Sequence, residues 1–146
     1  MAEGILKKRL TEKGVDFIHV KSAGIMAPER SPATQSTRDV AIQQGVDLSE
    51  HMSRFLTAAL VHEADIVLVM ERVHQKEIEE WFHPDRKKIF LLKSFGPDGM
   101  DEEVDDPIGC NREVYELCFQ TITSEIDRIF PELLNLCQNT RSDGDP

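Results

Sequence analysis

Cysteine and long apolar runs are scarce in this sequence, and each scarcity excludes a class of protein. The three cysteines, Cys110, Cys118 and Cys137, have a spacing that fits neither a disulfide framework nor a metal-binding knuckle. The longest apolar run near the middle of the chain, Ile66 to Met70, is far too short to span a bilayer. The first residues contain no apolar stretch of the signal-peptide type. The sequence therefore predicts a protein of the reducing cytoplasm.

Basic residues are also fewer than acidic ones. The chain has 17 lysines and arginines against 27 aspartates and glutamates, a formal net charge of −10. Nucleic acids and anionic membranes bind basic surfaces, so neither is an expected partner. Part of the excess lies between residues 98 and 106, where six acidic residues occur without a lysine or arginine. Most of these six side chains are expected to lie in a solvated loop.

Histidine spacing gives no sign of a metal site. The segment from His62 to Asp65 reads His-Glu-Ala-Asp and lacks the second histidine of a zinc-protease signature, because position 66 is Ile. His74 and His83 do not have the spacing of metal ligands either. We therefore expect neither a metal nor a cofactor.

Hydrophobic periodicity predicts an α/β fold. Residues 64–70 and 87–93 are apolar on both faces, as expected of central parallel strands, and residues 17–22 alternate as in a half-buried or edge strand. Strands that alternate with helices indicate a parallel sheet with helices on both faces, a three-layer doubly wound arrangement. Helices are predicted over residues 1–13, 36–45, 56–62 and 71–82, and from residue 111 onward with a bend or restart at Pro131.

The order of these elements suggests that a strand is missing. The chain begins on a helix that no capping residue precedes, and three parallel strands are few for such a sheet. If helices cover both faces of the sheet, the missing strand would lie in the middle of the sheet, between other strands. We expect the residues present to form one domain over 1–138, followed by a disordered tail over 139–146.

Three segments contain candidate site residues. Asp106 precedes Pro107 on a turn beyond the last strand, where α/β folds place their sites, and its carboxyl group could protonate a leaving group. A plain Asp-Pro turn is the alternative. Ser22, at the end of the first predicted strand, could hydrogen-bond a loop at the top of the sheet or simply face solvent. His51 and Arg54 are three residues apart and could equally form a surface pair.

In this order and spacing, the segments resemble the low molecular weight protein-tyrosine phosphatases from Met1 to about Ile129. The first helix is similar to the family helix that follows the phosphate-binding loop, and the turn at Asp106 is similar to the family's acid loop. The segments that contribute to the resemblance are MAEGILKKRL at 1–10, SAGI at 22–25, GVDLSEHMSR at 45–54, ADIVLVM at 64–70, DPIG at 106–109 and REVYE at 112–116.

The resemblance implies a four-stranded parallel sheet and a two-step hydrolysis of phosphoprotein substrates. In the family, a cysteine thiolate in the loop after the first strand attacks phosphorus, and an aspartate protonates the leaving group and then activates water. By position, Asp106 matches that general acid, and Ser22 and His51 match residues that support the phosphate loop. Ile108 stands where family members that favour phosphotyrosine have an aromatic residue. DPIG is closer to the bacterial branch that includes protein-arginine phosphatases.

The nucleophile has no counterpart in this chain. A thiolate phosphatase needs Cys-x5-Arg, but the residues six positions after the three cysteines are Glu116, Ser124 and Asp143. We therefore expect an N-terminally truncated phosphatase that lacks the first strand and the phosphate-binding loop and is inactive by itself. The alternative is a natural short isoform that acts as a non-catalytic binding module. Whether this chain is itself an enzyme stays open at this point.

Overall fold

Short strands and longer helices alternate in the computed structural model, which describes the backbone of residues 1–142 and the side chains of residues 1–138. The α/β class expected from the sequence is confirmed. The elements are α1 (Ala2–Glu12), α2 (Gln35–Gln43), α3 (Ala58–Glu63), β1 (Val67–Val69), α4 (Arg72–Phe82), β2 (Ile89–Leu91) and α5 (Arg112–Ser142), and two 3₁₀ turns, Arg86–Lys88 and Leu92–Ser94, flank β2.

The sheet is parallel, as the two apolar segments predict. β1 pairs with β2 in a register that joins Val67 to Ile89, Leu68 to Phe90 and Val69 to Leu91, and α4 forms the crossover between them. The prediction of a strand over residues 17–22 is wrong, because those residues are not assigned to a strand. A strand requires a hydrogen-bonded neighbour, and within the described part of the chain the one named sheet contains only β1 and β2.

The start of α2 also differs from its prediction. A capping box of Ser36 and Asp39 is expected from the sequence, but the hydroxyl of Thr34 accepts the hydrogen bond from the Thr37 N–H at 3.3 Å. Asp39 instead accepts a hydrogen bond from the Gln35 side chain at 2.6 Å. The helix therefore begins one residue earlier than predicted, because a threonine two positions upstream of Ser36 supplies the cap.

Helix α5 is the longest element and passes through Pro131 as one helix, so the restart considered at that residue does not occur. The side chain of Asn111 accepts a hydrogen bond from the Val114 N–H at 3.1 Å and caps the helix start. The helix is described as far as Ser142, so it covers the first four residues of the segment 139–146 for which a tail is expected. Residues 143–146 lie outside the described residues.

The buried side chains form two clusters. The larger one joins α1, α2 and α5 and includes Ile5, Val40 and Ile126, and the smaller one joins the sheet to α3 and α4 and includes Val61 and Ile78. Helix α1 therefore packs on α5 and shares a core with α2, and its first turn contacts Ser22 and the loop after α2. Among residues 1–142, no helix combines the length and apolar character that crossing a membrane requires.

Candidate functional site

Glu3, in the first turn of α1, is the centre of a polar cluster. Its side chain is only 8% exposed, although the helix pattern assigns it to the solvent-facing side. The Ser22 hydroxyl donates to Glu3 Oε2 at 2.5 Å, and Lys7 Nζ donates to Glu3 Oε1 at 2.5 Å. His51 Nδ1 lies 3.7 Å from Glu3 Oε2. Two of the predicted site residues, Ser22 and His51, thus meet on a third residue that the sequence reasoning missed.

The Glu3 carboxyl group ionises more readily than its burial alone would allow. Burial disfavours the charged form and acts to raise the pKa of Glu3. Hydrogen bonds from Lys7 and Ser22, together with the positive charge of Lys7 and the charge of protonated His51, act in the opposite direction and prevail. The pKa of Glu3 therefore lies below its usual value, and the cluster is built around a carboxylate.

A glycine allows the two sides of this cluster to approach each other. A Cβ at Gly4 would lie 2.6 Å from Leu48 Cδ2 and 2.8 Å from Val46 Cγ1, closer than van der Waals contact allows. The first turn of α1 therefore packs directly on residues 46–48. This packing brings His51, three residues further along the chain, to Glu3.

Asp106 lies on an exposed turn whose preceding residues are anchored. The Val104 side chain is buried, and its N–H donates to the carbonyl of Met70, at the end of β1, at 2.9 Å. The Asp105 carbonyl lies 3.8 Å from the Cys118 thiol on α5. The Asp106 carboxylate accepts the Ile108 N–H at 3.0 Å, which closes the Asp-Pro turn predicted from the sequence.

Cys118 connects this turn to the leading end of α1. Burial raises the pKa of the Cys118 thiol, the negative charges of Asp106 and Asp105 raise it further, and the positive Met1 amino group lowers it. Burial likewise lowers the pKa of the Met1 amino group, and the charges of Cys118 and Glu3 partly oppose that shift. Met1, which precedes α1, packs on the buried cluster that contains Cys118, and the Cys118 thiol lies 3.8 Å from the Asp105 carbonyl, so the acid turn and the start of α1 approach the same buried residue.

Of the remaining candidate residues, Ile108 is exposed to solvent, whereas Arg54 contacts other parts of the chain. Ile108 is 68% exposed beside Asp106 and could contact a bound molecule. Arg54 is joined to Gly24 through its backbone carbonyl at 3.0 Å, whereas His51 faces Glu3. No group of three or more His, Cys, Asp or Glu side chains with a geometry suited to a metal occurs among the described residues.

This arrangement is suited to an anion held at a helix start. The start of an α-helix such as α1 has N–H groups without a partner inside the helix and a positive partial charge, which favour phosphate. Asp106 provides an exposed carboxyl group on the turn nearby, and a carboxyl group can exchange a proton with a bound molecule. Ser22, Glu3 and His51 hold the first turn of the helix from the side.

Comparison with known proteins identifies relatives over nearly the whole chain. Residues 1–139 match the family model for low molecular weight phosphotyrosine protein phosphatases. A probable low molecular weight protein-tyrosine-phosphatase of Ralstonia solanacearum is 33% identical over 91% of this chain and 86% of its own. A protein-arginine-phosphatase of Bacillus subtilis is 32% identical over 80% of this chain and 75% of its own. The solved low molecular weight protein tyrosine phosphatase of T. tengcongensis superimposes with a TM-score of 0.84 at 32% identity, covering 90% of this chain and 88% of its own.

Proposed function

Because the chain belongs to the low molecular weight phosphotyrosine protein phosphatase family, we propose that its site serves the hydrolysis of phosphate esters or phosphoramidates on proteins. In this proposal Asp106 is the general acid. Ser22 and His51 support the phosphate-binding end of α1 through Glu3. The observation that carries the proposal is that the turn of Asp106 and the start of α1 approach the same buried residue: the Asp105 carbonyl lies 3.8 Å from the Cys118 thiol, and Met1 packs on the cluster that contains Cys118.

The proposed chemistry assigns one proton transfer in each step to Asp106. In the first step a cysteine thiolate forms a bond to phosphorus while the bond to the leaving group breaks, and Asp106 gives its proton to the departing atom. In the second step Asp106 takes a proton from water as the oxygen attacks phosphorus, which releases phosphate and the thiolate. The N–H groups at the start of α1 would stabilise the charge on the phosphoryl oxygens.

We propose that none of the cysteines in this chain supplies the thiolate. None of them is followed by arginine six residues later, and the thiol of Cys118 is buried with a raised pKa. A protonated, enclosed thiol is a poor nucleophile. The proposed family fold is a three-layer doubly wound sheet, in which a further central strand and a phosphate-binding loop would lie ahead of α1.

An assay of the 146-residue chain with p-nitrophenyl phosphate tests this assignment. We expect no turnover above that of the buffer alone, because none of the three cysteines is followed by the arginine that would bind the phosphate. As a positive control, the family's first strand and Cys-x5-Arg loop are fused ahead of Met1, and this form is expected to hydrolyse the same substrate. Turnover by the unfused chain that disappears in Cys110→Ser or Cys118→Ser would contradict the proposal.

The substrate is proposed to be a phosphoprotein of the cytoplasm, with phosphoarginine favoured over phosphotyrosine. Ile108 supports this choice, since its aliphatic side chain next to Asp106 cannot stack on a tyrosine ring as an aromatic residue would. The fused form should hydrolyse phosphoarginine peptides faster than phosphotyrosine peptides of the same sequence, and Ile108→Tyr should shift the ratio towards phosphotyrosine. A strong phosphotyrosine preference with Ile108 in place would overturn the substrate assignment but not the family.

A further inference from the structure

Residues 100–108 form a segment, here called the acid strap, that lies between two glycines and ends in the Asp106 turn. Gly99 lies against the backbone of Ser94, where a Cβ would clash with the Ser94 carbonyl. Gly109 has a φ of +78° and open space around it. One end of the strap is thus held by close backbone packing, whereas the other end has the conformational freedom of a hinge.

The shortest hydrogen bonds of the strap are made to Arg72, the first residue of α4, in a pair whose Asp101 side chain is largely exposed. Arg72 Nη1 donates to Asp101 Oδ1 at 2.6 Å, and Arg72 Nη2 donates to the Asp101 carbonyl at 2.6 Å. The Arg72 backbone N–H donates to Glu103 Oε1 at 2.5 Å. One residue of α4 therefore binds two acidic residues of the strap, Asp101 through its guanidinium group and Glu103 through its backbone N–H.

The contact with Glu103 supplies what the helix start lacks. Glu71 is the residue before α4, and its side chain makes no capping hydrogen bond. The N–H groups of a first helical turn have no partner within the helix and carry a positive partial charge. The Glu103 carboxylate therefore caps α4 from a distant part of the sequence, so the helix start and the strap stabilise each other.

The acidic side chains of the strap depend on cations from other segments, and Arg72 is one of two that pair with them among the described residues. The strap has no lysine or arginine of its own, and its other described ion pair joins Glu102 Oε2 to Lys93 Nζ at 3.0 Å. Backbone contacts that join the strap to the rest of the molecule include Met100 N–H to the Lys93 carbonyl at 2.7 Å, Val104 N–H to the Met70 carbonyl at 2.9 Å and the Asp105 carbonyl, 3.8 Å from the Cys118 thiol. Without Arg72, three acidic side chains within three residues would be left with one cation.

We propose that Arg72 is a latch that holds the acid strap, and Asp106 with it, against the carboxyl end of β1. Release of the contact with Asp101 frees the strap by local opening while the helical core stays folded. The role of the latch in catalysis rests on the proposed function, because it concerns the residue assigned as general acid. The latch itself is a property of the chain without substrate.

Amide hydrogen exchange of the 146-residue chain, followed by NMR, tests the latch. In Arg72→Ala the amides of Met100 and Val104 should exchange about three- to tenfold faster, the range expected when a bidentate charged contact is lost from a partly exposed site. The amide of Ile108, which donates to the Asp106 carboxylate, should exchange faster in the same variant. The amide of Ile126, in the buried part of α5, should exchange at an unchanged rate, which distinguishes local opening from global unfolding.

Two further variants and a change of salt concentration show whether the effect belongs to the contact between Arg72 and Asp101. Asp101→Asn should give part of the same acceleration, since its backbone carbonyl can still accept from Arg72. Arg86→Ala is the matched control, because Arg86 follows the other end of α4 and pairs with Glu79 at 3.3 Å. Added salt should accelerate exchange at Val104 in the parent chain more than in Arg72→Ala, because screening weakens a contact that only the parent has.

Equal exchange rates at Met100 and Val104 in the parent and Arg72→Ala would overturn the latch. An equal acceleration at Ile126 would also overturn it, because the loss would then be one of global stability. These measurements need no turnover. If the proposed phosphatase chemistry fails, the exchange result is unaffected, and the two failures can be told apart.

Discussion

At the scale of single residues, the most informative side chain is Glu3. Its surroundings were not predictable from the helix pattern, which places it among solvent-facing positions, because the groups that cover it come from residues 22 and 51. Ser22 and His51 could be picked out by family resemblance, but nothing in their own spacing showed that they share a partner. The Ser22–Glu3 contact depends on tertiary structure, and local sequence does not encode it.

Replacement of the Glu3 carboxylate should weaken the fold. In Glu3→Gln the charged acceptor shared by Lys7 and Ser22 is lost from a buried site, and the free energy of unfolding should fall by about 1–3 kcal/mol. Urea unfolding measures the change. Glu12→Gln on the same helix is the control, since its carboxylate is largely exposed in pairs with Lys8 and Arg9 and should cost at most about 1 kcal/mol. Equal losses in the two variants would contradict a special role for Glu3.

Glu3 should also make the stability of the chain depend on pH. Because the pKa of Glu3 is lower in the folded than in the unfolded chain, its contribution to stability is present above the ordinary glutamate pKa of about 4.3. That contribution is lost as the pH falls through the lower pKa of the folded state. Urea midpoints measured between neutral and acidic pH should therefore fall less steeply in Glu3→Gln than in the parent. Parallel pH profiles would contradict the assignment.

At the scale of elements, the sequence predicts the helices well but predicts only some of the strands. The periodic apolar residues of α1, α4 and α5 mark helices whatever their partners are. The strand expected at residues 17–22 is missing because a ladder depends on a neighbour that the local pattern does not contain. The cap of α2 was assigned to Ser36 rather than Thr34 because both residue types are good caps and only the backbone path selects one.

Arg128 of α5 binds several backbone carbonyls of the loop after β2, and this contact should contribute to stability. Arg128 donates to the carbonyls of Leu92, Lys93, Phe95 and Pro97 and pairs with Glu125. Arg128→Ala would leave these partly buried carbonyls without their donor, and the free energy of unfolding should fall by about 2–3 kcal/mol. Arg38→Ala, which removes an exposed contact with Gln35 on α2, should change it by less than about 0.5 kcal/mol. Urea unfolding compares the two, and a loss for Arg128→Ala no larger than for Arg38→Ala would contradict this role.

At the scale of the whole molecule, the small sheet predicts low stability. The sheet of the described residues joins two strands of three residues each. A further central strand would bury about four apolar side chains, worth roughly 6–12 kcal/mol, against a typical domain stability of about 5–15 kcal/mol. The 146-residue chain should therefore unfold at a lower temperature than the fused form in calorimetry, each in a cooperative transition. Equal transition temperatures in the two forms would contradict this expectation.

The central claim is that Asp106 is the proton donor of a phosphatase site built at the start of α1, and one measurement tests it most directly. In the fused form, kcat/KM for phenyl phosphate, a substrate with a poor leaving group, is compared between the parent and Asp106→Asn, because kcat/KM reports the step in which the leaving group departs. Loss of general acid catalysis predicts a decrease of about 10²- to 10⁴-fold, with a much smaller decrease in kcat/KM for p-nitrophenyl phosphate, whose leaving group needs little protonation. An unchanged kcat/KM for phenyl phosphate in Asp106→Asn would contradict the account.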